Sequence, residues 1–132
     1  MAYTPILCLA SAEIHIRRWS TADLTWGYTD CFRFVGEWIT SNGGPDLFSA
    51  YKYKNEREAI RCIKRAGYRS LEEHFDRYLQ ECDPCEGAII AAPSKGHLPA
   101  MGIYHDGKVW AYGDDGKIIP METEIKRAWV WQ

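Results

Sequence analysis

The sequence predicts an α+β domain in which N-terminal helices pack on a small antiparallel sheet. The first part of the chain carries helix caps and apolar residues at helical spacing, whereas the part after residue 82 carries short strand-like runs between tight-turn pairs. Helices first and strands second is typical of α+β folds rather than of alternating parallel ones. At 132 residues we expect a single domain over 1–132, helical over about 1–81 and sheet-forming over about 87–132.

A helix over residues 31–40 is predicted by its cap and its apolar stripe. Either Thr29 or Asp30 can cap its start, and the breaker "SNGGPD" follows its last turn. Four apolar residues lie at i, i+3, i+4 and i+7, namely Cys31, Phe34, Val35 and Trp38. We expect this stripe to pack against the sheet. Upstream, residues 6–19 show a weaker helical or mixed pattern.

Two capping boxes predict two more helices. A helix that begins at Asn55, with Glu58 three residues on, stops at Gly67. Another begins at Ser70, with Glu73 as its box partner, and runs through residue 79. Both sequences place apolar residues at helical spacing, so each helix should bury one face.

The second part of the chain reads as an antiparallel meander. Its strand-like runs are "GAIIAA", "AMGIY", "KVWAYG" and "KIIPM". The turn pairs Asp106-Gly107 and Asp115-Gly116 separate the later runs, and such pairs favour tight antiparallel hairpins. We therefore expect sequential antiparallel strands within residues 87–121.

Composition excludes several classes of function. The net charge of -2 and the scattered Lys and Arg residues give no basic stripe for nucleic acid. No apolar run approaches the roughly 20 residues that a membrane helix needs, and no basic segment precedes the apolar N-terminal stretch, so we expect neither a membrane span nor a signal peptide. Five cysteines cannot all pair, which indicates reduced thiols in a protein made in the cytosol.

Cys31 is the candidate nucleophile of the sequence because of its place on its helix. A thiol on the first turn lies near unpaired N–H groups and the positive end of the helix dipole, which stabilise the thiolate and lower its pKa. A cysteine hydrolase also needs a base within hydrogen-bond reach, usually a histidine, and a group that orients this base. The expected base is therefore a histidine on a strand of the second part of the chain.

The stretch "WGYTDC" (26–31) resembles the Trp-Gly…Asp-Cys signature of NlpC-type, papain-like cell-wall peptidases. The later "AMGIY" resembles that superfamily's "His-Val-Gly-Ile-Tyr" strand, and the likeness covers about residues 19–119. A narrower likeness reaches the end of the chain. It is to a family of unknown function from tailed-phage structural modules, and it rests on "WGYTDC", "KRAG" (64–67), "AMGIY" and "RAWVW" (127–131).

The resemblance implies roles for particular residues and also a defect. Cys31 would be the nucleophile, with Asp30 supporting it. The position of the catalytic histidine is Ala100, and an alanine neither takes a proton nor forms an ion pair. His97, three residues upstream in the "GHLP" loop, is the substitute base if the domain is active. His105 lies in a hairpin turn and is the poorer candidate. His15 and His74 lie on helical stretches, and we expect both to be solvated.

The resemblance implies an inactive peptidase homologue that serves as a structural component of a phage tail tip or hub. It would be found in the virion tail after synthesis in the bacterial host cytoplasm, and would contact other tail-tip proteins through Trp129 and Trp131. An alternative is an active cysteine peptidase or amidase that cleaves cell-wall peptides during phage entry, with peptidoglycan as its partner. A third reading is a metal- or thiol-binding module at Cys82 and Cys85. We expect no cofactor, since this Cys-x-x-Cys pair has no second pair to complete a zinc site.

Overall fold

The computed structural model describes residues 5–131, and for residues 5–11 it describes the backbone alone. Within this range the fold is α+β, as predicted, with four helices followed by an antiparallel sheet of six strands. None of the helices in this range is both long and apolar enough to cross a membrane. The elements are α1 (Pro5–Trp19), α2 (Cys31–Ser41), α3 (Glu56–Arg65), α4 (Leu71–Tyr78), β1 (Gln80–Glu81), β2 (Ile89–Ala92), β3 (Ala100–His105), β4 (Lys108–Tyr112), β5 (Ile118–Met121) and β6 (Arg127–Val130).

The three predicted helix starts are confirmed by their caps. Asp30 caps α2, with its carboxylate accepting from the Arg33 N–H. In α3 and α4 the cap side chains of Asn55 and Ser70 accept from the N–H three residues on. The box partners return a carboxylate to the backbone before each helix, at Lys54 and Arg69 respectively. The region 6–19, which had a mixed pattern, is part of helix α1.

The sheet differs from the predicted meander at the edge formed by β1 and β6. Its strand order is β1-β6-β2-β3-β4-β5, with every pair antiparallel. Strands β2 to β5 are sequential neighbours, as the turn pairs predicted. The C-terminal strand β6 returns to lie between β1 and β2, opposite Ile89 and Ala91. Strand β6, the last in sequence, therefore lies inside the sheet, and β1 forms the edge beside it.

Helix α2 lies at the centre of the core. Its predicted stripe is buried at Phe34, Val35 and Trp38, and it packs on β3. The Trp38 indole N–H donates to the Gly87 carbonyl at 2.8 Å, which ties the helix to the start of β2. The opposite side of α2 is buried as well, because Phe32 packs edge-on against Phe48. A helix covered on both sides fixes the position of its first residue, Cys31.

The two faces of the sheet carry different side chains. The face toward the helices presents large residues such as Met101, Ile103 and Trp129 to the main core. The outer face carries a separate, mostly small-residue cluster: Ala88, Ile90, Ala92, Val109, Ala111 and Ala128. Neighbouring residues of a strand point to opposite faces of the sheet. The cluster to which a residue belongs therefore shows which face it occupies.

Candidate functional site around Cys31

Asp30 is a fully buried carboxylate that organises the loop before α2. One oxygen accepts from the Gly27 N–H at 2.7 Å. The other accepts from the Arg33 N–H at 2.9 Å and from the Tyr53 hydroxyl at 3.1 Å. Three donors satisfy this buried charge, which explains how it tolerates burial. Asp30 therefore supports Cys31 by fixing the start of its helix.

Gly27 is the second fixed point of the "WGYTDC" motif. It has φ of +90°, a region that residues with a side chain rarely adopt. A Cβ at this position would lie 2.5 Å from the Tyr53 carbonyl oxygen. The preceding Trp26 packs edge-on against the Tyr53 ring at 6.2 Å. Trp26, Gly27 and Asp30 thus have structural reasons to occur together, whether or not Cys31 reacts.

Cys31 is the first residue of α2, and its thiol is held in the protonated form. The residue packs against the main core. Burial, and next to it the neighbouring Asp30 carboxylate, raises the pKa of the Cys31 thiol from 9.0 to about 12. Backbone N–H groups at the helix start favour the thiolate but are outweighed. The sequence-based expectation of an acidic Cys31 is therefore wrong, since the acidic cap opposes the helix dipole.

Tyr112 is a polar residue of the sheet that interacts electrostatically with this thiol, and sequence reasoning missed it. It is on β4 and packs edge-on against Phe34. Its hydroxyl is buried and has no hydrogen-bond partner among the residues whose side chains the structure describes. Burial, followed by the charges of Asp30 and Cys31, raises the Tyr112 pKa well above its usual value. A neutral phenol of this kind cannot serve as a base near neutral pH.

Ala100 is the first residue of β3, and its side chain packs with the outer cluster of the sheet. The next residue, Met101, belongs to the core on the helix side. Position 100 therefore faces away from the helix that carries Cys31. Because of this, we expect that a histidine introduced at position 100 would not form a pair with the thiol.

His97 lies in the exposed loop between β2 and β3. The loop is held by Glu56, the first residue of α3, whose carboxylate accepts from the backbone N–H groups of His97 at 3.2 Å and Leu98 at 3.3 Å. Glu56 is close enough to Cys31 to contribute, as the smallest cause, to its raised pKa. The His97 backbone is therefore fixed near this end of α2, but no hydrogen bond links its imidazole to Cys31. Its role as a substitute base stays a prediction.

Two other histidines are buried, contrary to our expectation that the helical histidines are solvated. The His15 Nε2 lies 2.8 Å from the Phe34 carbonyl oxygen and therefore carries the ring proton. His74 stacks on the Tyr68 ring at 4.2 Å. Burial lowers the pKa of each imidazole from 6.5 to about 4. Both rings are core components and are neutral at pH 7.

His105 has a local structural partner. It is the last residue of β3, and its Nδ1 contacts the Glu86 carboxylate. Glu86 also accepts from the Asp106 N–H at 3.0 Å, so it joins the start of β2 to the hairpin turn. This contact accounts for His105 without a catalytic role.

The Cys82–Cys85 turn holds its thiols outside any larger ligand cluster. Cys85 is exposed, and Cys82 is partly buried at the end of β1. Burial, followed by the neighbouring Cys85, raises the pKa of the Cys82 thiol to about 11. Among residues whose side chains are described, no three His, Cys, Asp or Glu residues are grouped as metal ligands. Cys8, the fifth cysteine, has a side chain outside the described residues.

The two tryptophans predicted to contact partner proteins differ in burial: Trp129 is a core residue and Trp131 is a surface residue. Trp129 is fully buried, and its indole N–H donates to the Asp76 carboxylate at 2.9 Å. Its assignment to a contact surface is therefore wrong. Trp131 keeps 40% of its surface exposed and packs beside Gly44. The docking candidate reduces to Trp131.

The fold and the site define a class of α+β domain in which a buried aspartate caps a helix whose first residue is a protonated cysteine. Comparison with known families gives one match. A family model described as Domain of unknown function (DUF6950) matches residues 10–131, and the chain belongs to that family. No curated protein matched the chain, and no solved structure matched it either.

Proposed function

We propose that this domain is a structural component of a phage tail tip or hub, built on a degenerate NlpC-like, papain-type fold. In this proposal the domain docks against other tail proteins in the virion after synthesis in the bacterial host cytoplasm. The arrangement of a helix-start cysteine on an antiparallel sheet supports the papain-type relationship. The sequence likeness in "WGYTDC", "KRAG" and "RAWVW" supports the phage setting.

One observation carries the non-hydrolytic part of the proposal: Ala100, at the position expected for the catalytic histidine, packs on the outer face of the sheet, away from Cys31. A cysteine hydrolase needs a thiolate and a group that protonates the leaving amine. Burial and Asp30 favour the neutral thiol, and Asp30, Tyr53, Glu56 and Tyr112 interact with it electrostatically. None of these four is a histidine, which supports a site without the usual proton carrier.

The active alternative requires a rearrangement that the site does not favour. The His97 imidazole would have to reach the Cys31 sulfur, and the thiol would have to lose its proton beside a buried carboxylate. The metal-binding alternative at Cys82 and Cys85 requires two ligands from outside the described side chains. We therefore retain the docking function as the conclusion.

Mass spectrometry of purified virions tests the tail role. Particles from a lysate of the bacterium that carries the gene are separated into heads and tails, and each fraction is quantified for this chain. The proposal predicts stoichiometric copies in the tail fraction, with the same amount and yield for the Cys31→Ala variant. Absence of the chain from tails, or loss of particles in Cys31→Ala alone, contradicts the proposal.

A further inference from the structure

The turn from Cys82 to Cys85 leads from β1 toward β2, and hydrogen bonds to the backbone fix both of its ends. The Cys82 N–H donates to the Ala128 carbonyl at 3.0 Å, which continues the antiparallel pairing of β1 with β6. At the other end, the Ala88 N–H donates to the Cys85 carbonyl at 2.9 Å. The sheet and the turn before β2 therefore hold the two cysteines in place.

A bend between these ends brings the two thiols together. The backbone bends at Asp83 and Pro84, and the proline ring fixes φ at its own position. Burial is the first cause of the raised pKa of the Cys82 thiol, and the charge of Cys85 and a hydrogen bond with the Cys85 thiol come next. A hydrogen bond between two thiols requires neighbouring sulfur atoms. Little backbone movement is therefore needed to reach an S–S bond length of about 2 Å.

The two thiols differ in exposure. Cys85 is exposed, whereas Cys82 is partly buried against the outer cluster of the sheet. A dissolved reagent therefore reaches the Cys85 sulfur first, with the shielded Cys82 sulfur beside it. Disulfide exchange uses such a division between a thiol that attacks and a thiol that resolves the mixed disulfide. After burial and Cys85, the carboxylates of Asp83 and Glu81 also raise the pKa of Cys82, so this surface favours an uncharged reagent over an anionic one.

We propose that Cys82 and Cys85 form a reversible dithiol–disulfide site that is oxidised by small uncharged disulfides. The Cys85 thiol loses its proton to water and attacks one sulfur of the reagent, whose S–S bond breaks, and the leaving thiolate takes a proton from water. Cys82 then loses its proton to water and attacks the Cys85 sulfur of the mixed disulfide, which releases the second half of the reagent as a thiol. Two protein thiols are oxidised to one disulfide, and one reagent disulfide is reduced to two thiols. This site goes beyond the proposed docking function and does not depend on it.

Peptide mapping of the full chain tests the disulfide. The tryptic peptide 78–95 contains Cys82 and Cys85 and no other cysteine, so one mass reports both thiols. The chain is incubated with bis(2-hydroxyethyl) disulfide, blocked with N-ethylmaleimide and digested. We expect peptide 78–95 to lose two hydrogen atoms and to regain them with dithiothreitol, at least about tenfold faster than Cys31 or Cys62 forms an adduct, because these two pack in the main core. A peptide that stays reduced, or that accumulates with reagent halves attached, overturns the proposal.

Two serine variants test the separate roles of the thiols. Cys82→Ser keeps the exposed thiol and should accumulate the mixed disulfide at Cys85, since the resolving thiol is gone. Cys85→Ser should react with the reagent at least about tenfold more slowly than Cys82→Ser, because its remaining thiol is partly buried. Both changes are close in size and leave the backbone hydrogen bonds of the turn in place. Equal rates for the two variants, or no mixed disulfide in Cys82→Ser, contradict the assigned roles.

Discussion

The charge state of Cys31 follows from the groups that surround its sulfur. Backbone N–H groups at the start of α2 favour the thiolate, whereas burial and the Asp30 carboxylate oppose it. Burial and the carboxylate outweigh the N–H groups because a thiolate at this site loses hydration and lies beside a like charge. The same aspartate that makes α2 begin at Cys31 therefore also makes Cys31 a poor nucleophile.

Carbamidomethylation of the two kinds of cysteine tests this charge state. We expect Cys31 to react with iodoacetamide at pH 8 about a hundredfold or more slowly than the exposed Cys85, since a pKa raised from 9.0 to about 12 removes most of the thiolate. Peptide mass spectrometry over a time course gives both rates in one sample. The Cys31 rate should rise as pH increases toward 12. A Cys31 that reacts as fast as Cys85 would show that the thiol is acidic.

The two buried histidines predict a loss of stability in mild acid. Their pKa is about 4 in the folded state and 6.5 in the unfolded chain, so the unfolded state binds more protons between these values. The stability they contribute is present above pH 6.5 and is lost as pH falls toward 4, by up to about 3 kcal/mol each. Urea unfolding at several pH values measures it. His74→Phe, which keeps an aromatic ring beside Tyr68, should flatten the curve, whereas the exposed control His97→Phe should not.

At the scale of elements, two glycines that flank helices α2 and α3 are required for different reasons. Gly27 and Gly67 both have positive φ, but only Gly27 faces a backbone oxygen at 2.5 Å. Gly67 has open space around it and needs its glycine for conformation alone. The first glycine therefore shapes the loop that positions Asp30, and the second ends α3.

Replacing each of these two glycines by alanine separates the cost of backbone strain from the cost of a steric clash. We expect Gly67→Ala to cost about 1–2 kcal/mol, from the left-handed conformation alone. Gly27→Ala should cost about 3 kcal/mol or more, because the Cβ also collides with the Tyr53 carbonyl. Chemical denaturation of both variants gives the comparison. Equal costs would mean that the loop before α2 relaxes without loss.

The elements that were predicted are those with local signals. The capping residues Asp30, Asn55 and Ser70 fixed three helix starts, and the Asp-Gly pairs fixed two hairpins, because these interactions span only a few residues. The burial of His15 also had a local signal, since Ala12, Ile16 and Trp19 lie on the same helical face.

At the scale of the whole molecule, the features that sequence reasoning missed depend on long-range contacts. Strand β6 is four residues long and is defined by its pairing with β1 and β2. The approach of Tyr112 to Cys31 joins residues from the sheet and from α2, and no periodicity indicates it. The outward direction of Ala100 likewise follows from the register of β3 in the complete sheet.

The two C-terminal tryptophans should respond differently to truncation. Trp129→Ala should cost about 3–5 kcal/mol, because it empties a fully buried site and leaves the Asp76 carboxylate without one donor. Trp131→Ala should cost about 1 kcal/mol or less and should reduce incorporation into tails. Thermal unfolding and the tail fraction together measure both effects. A stable Trp129→Ala variant, or unchanged incorporation of Trp131→Ala, would count against this assignment.

Incubation of the purified chain with peptidoglycan fragments, read by mass spectrometry for newly cleaved peptide bonds, tests the central claim most directly. The proposed function predicts no cleavage above the level of the Cys31→Ala variant, because the thiol is protonated and no histidine is bonded to it. The Ala100→His variant should also stay inactive, since position 100 packs on the outer face of the sheet. Cleavage by the wild-type chain that disappears in both Cys31→Ala and His97→Ala would contradict the account and would identify His97 as the base.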